Sequence, residues 1–131
     1  MRKKILFLQH CLKPPGGACA VSVWMLEALK DLYDVTVYHA DGVDLPAVNR
    51  FYGTSLDASQ FRIVATNPLV RALARLDSDR GSIQVLAYMM RVVRRIGHRH
   101  DLVLSTDDHD LGAGPALTYV HYPYLGDFFR Q

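Results

Sequence analysis

The chain opens with a strand, a tight break and a helix in immediate succession, and this unit restricts the possible folds more than any other stretch. Lys4-Ile-Leu-Phe-Leu-Gln9 is a short apolar run, Pro14-Pro-Gly-Gly17 breaks it, and an apolar pattern at helical spacing starts at Ala18. A strand with a helix directly behind it is the first half of a β-α-β crossover, and crossovers of that kind build parallel sheets. In such sheets ligands are held in the loops at the carboxyl ends of the strands. Paired glycines let a backbone approach a ligand closely, and a helix start offers N–H donors to an anionic or sugar group. Gly16 and Gly17 are therefore candidate binding residues.

The rest of the chain repeats the alternation. Val21, Trp24 or Met25, Ala28, Leu29 and Leu32 give the first helix, Ala18 to Leu32, an apolar face. Val35 to His39 reads as a second strand, Ala40 to Pro46 as a loop, and Ala47 to Tyr52 as a short helix closed by Gly53. Phe61 to Ala65 is the third strand. Asn67 caps and Pro68 opens a helix through Leu76. After a break at Asp77 to Gly81, Ser82 caps a longer helix to Ile96, with Ile83, Leu86, Ala87, Met90, Val93 and Gly97 on its inner face. Asp101 to Ser105 and Ala116 to His121 supply the fourth and fifth strands. Strands alternating with helices predict an α/β fold, a Rossmann-like three-layer sandwich with a mainly parallel sheet of about five strands.

The 131 residues form one domain, long enough to bury roughly two-thirds of the unfolded surface. Few residues follow the fifth strand, Phe128 and Phe129 among them, and no helix covers the last crossover. The expectation is a single domain over 1–131 that stops short of its usual end.

Composition removes several classes of function. Half the residues are apolar and 21% are charged, as in soluble domains. No stretch reaches the ~20 apolar residues of a membrane span. The basic, apolar start imitates a signal peptide, but Gln9, His10, Lys13 and Pro14 cut its core short, so it reads as a buried strand of a cytoplasmic protein. Cys11 and Cys19 match neither a redox nor a zinc spacing and read as reduced thiols. A net charge of +2 is too small to argue for nucleic acid. Positive charge is concentrated in Arg91, Arg94, Arg95, His98, Arg99 and His100. That face is either simply solvated or drawn to an anionic membrane surface, at up to ~1 kcal/mol per cationic side chain.

Neither strict phosphate fingerprint is present: Gly16-Gly-Ala-Cys-Ala-Val21 has no third glycine, and no Gly-x-x-x-x-Gly-Lys-Ser/Thr occurs. Asp107, Asp108, His109 and Asp110 are the densest titratable cluster. They read as a metal or acid–base site, as substrate contacts, or as a solvated loop; four adjacent residues cannot all face one ion, so no metal site is assigned. His121, inside Tyr119-Val-His-Tyr-Pro123, is either a satisfied core histidine or a donor to a substrate hydroxyl. Ser22 and Ser105 lack a nucleophile elbow.

Taken in order, the first strand with its Pro-Pro-Gly-Gly-Ala18 turn, Asp34-Val-Thr-Val-Tyr38, Asn49-Arg-Phe-Tyr-Gly-Thr54, Asp101-Leu-Val-Leu-Ser-Thr-Asp107 and Tyr119-Val-His-Tyr-Pro123 resemble the N-terminal domain of family-4-like GT-B glycosyltransferases. The last segment is similar to the mannosyltransferases that extend lipid-linked oligosaccharides. The resemblance implies two Rossmann-like domains facing across a cleft, and a retaining transfer of a hexosyl group from a nucleotide sugar to a glycan or lipid-linked acceptor. It implies no metal and no cofactor, the nucleotide sugar being the substrate. Gly16 and Gly17 would lie near the donor diphosphate or acceptor, Asp107 and His109 would contact the acceptor, and His121 would be the catalytic-site histidine approaching the donor sugar. The Glu-x7-Glu motif of that family belongs to a second domain. A C-terminal donor-binding domain or partner chain is thus the implied partner, and the isolated chain is expected to be inactive.

Two rival functions follow from the residues themselves. One is a non-catalytic Rossmann-like binding or assembly module, with the apolar stretch Tyr124 to Phe129 as an interface. The other is a metal-dependent hydrolase built on Asp107 to Asp110.

Overall fold

The computed structural model describes residues 1–76, 81–106 and 114–119. Five strands, β1 (Lys4–Gln9), β2 (Asp34–His39), β3 (Phe61–Ala65), β4 (Leu102–Ser105) and β5 (Ala116–Thr118), form one sheet in the order β3-β2-β1-β4-β5. Every neighbouring pair is parallel, with Phe7 opposite Val37 on one side and Leu104 on the other. The helices are α1 (Gly17–Leu29), α2 (Leu45–Tyr52), α3 (Pro68–Ala74) and α4 (Gly81–Ile96). This is the expected Rossmann-like α/β sandwich.

Strand alternation divides the core in two. Ile5, Phe7, Val35, Val37 and Leu104 face a layer made by Cys19, Val23 and Leu26 of α1 and Leu45 and Val48 of α2. Leu6, Leu8, Tyr38 and Val103 face the opposite layer, where Ala74 of α3 packs with Val85, Met89 and Val93 of α4. Both faces of the sheet are covered, which is why its inner strands read as unbroken apolar runs instead of alternating ones. The outer strands differ. Arg62 and Ile63 of β3 and Leu117 of β5 are exposed.

Local chemistry sets the helix ends. The Asp44 side chain accepts from Ala47 N at 3.0 Å, Pro46 sits in the first turn of α2, and Gly53 closes that helix at φ 74°. Asn67 caps α3 through Leu69 N at 2.9 Å, with Pro68 as its first residue. The helix α1 stops at Leu29, earlier than its apolar pattern suggests, and the chain tightens there, Leu32 N donating to Leu29 O at 3.1 Å across a three-residue turn. Leu32 is left exposed and Asp34 starts β2 by donating to Lys3 O at 3.0 Å.

Two helix faces differ from the sequence reading. The buried residues of α1 are Cys19, Ser22, Val23 and Leu26, while Trp24 is exposed. On α4 the inner stripe is Val85, Met89 and Val93, and Ile83 is exposed. Apolar residues lie around much of the circumference of α1, so spacing alone leaves its buried face open, whereas on α4 the arginines mark one side and the buried stripe lies opposite them.

Phe7 is fully buried at the centre of one core. Phe7→Ala should lower unfolding stability by about 3–5 kcal/mol, read as a shift in the urea midpoint with the slope unchanged.

Candidate functional site

The chain steps from β1 to β2 on one side of the sheet and reaches β4 on the other, so the order reverses between β1 and β4. The carboxyl ends of two such strands border the crevice in which open α/β sheets hold ligands. The glycine turn lies there. Gly16 is the N-terminal cap of α1, at φ 151° and ψ 142°, a backbone conformation that side-chain-bearing residues avoid. Its carbonyl accepts from Ala20 N at 3.0 Å and from the Tyr52 hydroxyl at 2.8 Å, so α2 holds the turn in place. Only Gly16 needs a glycine backbone. Gly17 has no positive φ, and a Cβ built on it meets nothing within 4 Å. Among the described residues no side chain caps the start of α1, so its first N–H groups, which have no partner within a helix, have no such cap there.

Beneath the turn lies a buried polar cluster. Gln9 ends β1, Ser22 projects from α1 and Thr106 follows β4; all three are buried. The Ser22 hydroxyl lies 2.7 Å from Gln9 Oε1, 2.8 Å from Thr106 Oγ1 and 3.0 Å from Ala18 O. Thr106 also donates to Gln9 Oε1. Gln9 Nε2 donates to the Cys11 carbonyl at 3.1 Å. A consistent assignment has Thr106 donating to Gln9 and Ser22 donating to Thr106, so each hydroxyl proton has an acceptor. Among the described residues the two hydroxyl protons of the cluster are used within it. It contains no base to activate Ser22, so it positions the turn and offers no nucleophile.

The sequence-predicted residues fall into two groups. Gly16 and Gly17 lie in the turn that leads from β1 into α1. Asp107, His109 and His121 lie outside the described residues, as do the rest of the Asp107 to Asp110 cluster and the Tyr124 to Phe129 stretch. Thr106 belongs to the buried floor and not to a solvated loop. Among the described residues no group of three or more His, Cys, Asp or Glu could hold a metal ion. Both cysteines are free, and burial is the main cause that pushes each thiol pKa up. Arg91, Arg94, Arg95, His98 and Arg99 form an exposed basic face. His100 leaves that face, its Nδ1 donating to Ile96 O at 3.0 Å. Among the described residues no helix is long and apolar enough to cross a membrane.

Sequence reading missed Gln9, Tyr52 and His39. A polar residue ending an apolar strand was the available signal for Gln9 and His39. His39 ends β2, is buried, and its Nδ1 accepts from Gly42 N at 3.0 Å. A backbone N–H can only donate, so the neutral ring carries its proton on Nε2. Burial lowers the His39 pKa, the nearby Arg71 and Lys13 cations add to the effect, and Asp41 opposes it.

A search of protein-family models, of curated proteins and of solved structures finds no match to this chain. The sheet order and the two covered faces establish a Rossmann-like α/β domain, and a specific glycosyltransferase family is not established.

The lowered pKa of His39 fixes a sign for pH dependence. As pH falls below the ordinary histidine value of about 6.5, the unfolded chain takes up a proton that the folded chain resists. Stability therefore declines from there downward and levels off once folded His39 is also protonated. Urea midpoints between pH 7.5 and 5 should show this loss. His39→Asn, which keeps an acceptor for Gly42 N, should show a smaller one.

Proposed function

We propose that this chain is a ligand-binding Rossmann-like module, with the ligand held in the β1/β4 crevice over Gly16 and Gly17 and a partner supplying the opposite wall. The observation carrying this reading is the start of α1, without a side-chain cap, above a polar floor whose two hydroxyl protons have acceptors within the cluster. The groups left to meet a ligand are backbone N–H donors, which favour an anionic or sugar oxygen. Gly17 is exposed beside them, so a ligand can come close to the backbone. A site built of backbone donors binds and orients. One wall leaves most of a ligand in water, and this favours a second chain or domain that completes the site.

Titration with UDP-glucose and GDP-mannose, followed by amide NMR, should give saturable shifts at Gly16 to Cys19. Gly17→Phe places a ring in space the structure leaves open, so the fold should be kept. Its binding should weaken at least tenfold, about 1.4 kcal/mol. Equal affinity in Gly17→Phe would remove the crevice from the reading.

The finer proposal is that the module is the acceptor-side part of a retaining hexosyltransferase, working at a cytoplasmic face and associating peripherally with an anionic membrane surface. Its support is the resemblance noted above together with a glycine turn at the switch point of a fully parallel sheet. In this proposal Asp107 and His109 contact the acceptor and His121 approaches the donor sugar. Fusing the C-terminal domain of a GT-B glycosyltransferase to this chain should restore hexosyl transfer. His121→Ala in the fusion should lower kcat by at least tenfold, and an unchanged kcat would take His121 out of the mechanism.

A further inference from the structure

A concavity lies at the same edge of the sheet, displaced from the glycine turn to the ends of β2 and β3. It is a groove of about 480 Å³, within the range that suits small molecules. Val43, Leu45, Pro46 and Ile63 supply apolar wall, and His39 and Arg71 supply the polar part. Ile63 is 38% exposed although it belongs to a strand, so its side chain is available to an occupant.

Arg71 is the decisive residue. Its Nη1 donates to the Ala40 carbonyl at 2.8 Å, which fixes the guanidinium against the end of β2. Its Nε is buried and has no hydrogen-bond partner among the described residues. No carboxylate among the described residues pairs with it: Asp41 pairs with His10 at 2.8 Å, and Glu27 pairs with Lys30 at 2.7 Å on another part of the surface. Arg71 lines the groove, and a guanidinium presents a planar fork of donors suited to carboxylate or phosphate oxygens. Lys13 adds a second cation at the rim. Its Nζ donates to the Asp41 carbonyl at 2.9 Å and lies 3.0 Å from the point where a Cβ on Gly42 would stand. The His39 ring, whose Nδ1 is held by Gly42 N, keeps its proton on Nε2 in the same groove.

We propose that this groove binds a small organic anion, its phosphate or carboxylate on Arg71 and its apolar body against Val43, Leu45, Pro46 and Ile63. The site is separate from the crevice over Gly16 and Gly17. It does not depend on a partner chain or on the transferase reading.

The probes are phenyl phosphate, benzoate, inorganic phosphate and the neutral control phenol, each titrated by amide NMR. Phenyl phosphate or benzoate should give saturable shifts at Gly42, Ala65 and Arg71, with at least tenfold higher affinity than phenol. A gain of phenyl phosphate over inorganic phosphate would show the apolar wall in use, and a preference between phenyl phosphate and benzoate would identify the anion. Arg71→Gln should weaken binding at least tenfold, and Arg71→Lys should recover part of it. Because Arg71→Gln also loses the bond to Ala40 O, Ala65→Trp serves as a second variant that fills the groove from an exposed position. It should abolish binding, whereas Gly17→Phe should leave it intact. Phenol binding as well as the anions, shifts at Gly16 to Cys19 instead of the groove, or full affinity in Ala65→Trp would each overturn the proposal.

Discussion

The burial of β1 on both faces, between two parallel neighbours, is the constraint from which the rest of the sheet follows. Leu6, Phe7 and Leu8 have no exposed surface at all, and successive side chains feed opposite cores. In a half-buried strand a one-residue slip would put polar groups into the core, and alternation would fix the register. In β1 both faces are apolar, so alternation cannot fix it. The polar ends do so instead. Lys4 N donates to the Asp101 carboxylate at 2.7 Å while Lys4 O accepts from Asp101 N at 2.8 Å, and Asp34 N donates to Lys3 O. At the other end Gln9 closes onto Ser22 and Thr106. A slip would drag Gln9 out of that cluster and leave buried hydroxyls short of acceptors, at a cost of about 1–3 kcal/mol for each unsatisfied group.

The same burial explains why the glycine turn and the groove at the carboxyl edge differ in chemistry. The crevice sits over the central strands, where desolvation is greatest, and its floor is built from an amide and two hydroxyls that never ionise near neutrality. The groove sits over β2 and the edge strand β3, where solvent reaches Ile63 and Ala65, and there the chain places Arg71, with Lys13 beside Gly42 and bonded to the Asp41 carbonyl. His39 lies between the two regimes. It is buried deeply enough to lose its charge and close enough to Arg71 and Lys13 for them to reinforce that loss. Charge is tolerated in proportion to access to water.

Strands were legible because a run of β-branched and aromatic residues bounded by turn residues has few other readings: Val35 to His39 and Phe61 to Ala65 are strands as expected. Caps were legible for the same local reason, as Asn67 with Pro68 shows. Helix faces were not. Trp24 and Ile83 are strongly apolar yet exposed, while Ser22 is fully buried because its hydroxyl has partners on β1 and after β4. That preference is set by residues far away in sequence, Gln9 and Thr106, which no window around the helix contains. Gly16 was legible from its neighbours. Arg71 was not, because its importance comes from an Ala40 carbonyl across the sheet edge and not from anything beside it in the chain.

The crevice also accounts for why the strict phosphate fingerprints are a poor guide here. Those motifs encode a turn tight enough for backbone donors to reach a ligand, and several geometries achieve it. In this chain one glycine at φ 151° makes the turn, and Tyr52, contributed by another helix, restrains it. A hydroxyl from α2 thus supplies rigidity through a side chain distant in sequence. A turn held by backbone groups writes little into side-chain identity, so topology says more about this turn than any motif. The groove is the opposite case. Its character rests on one guanidinium, and exchanging that single residue would change what it can hold.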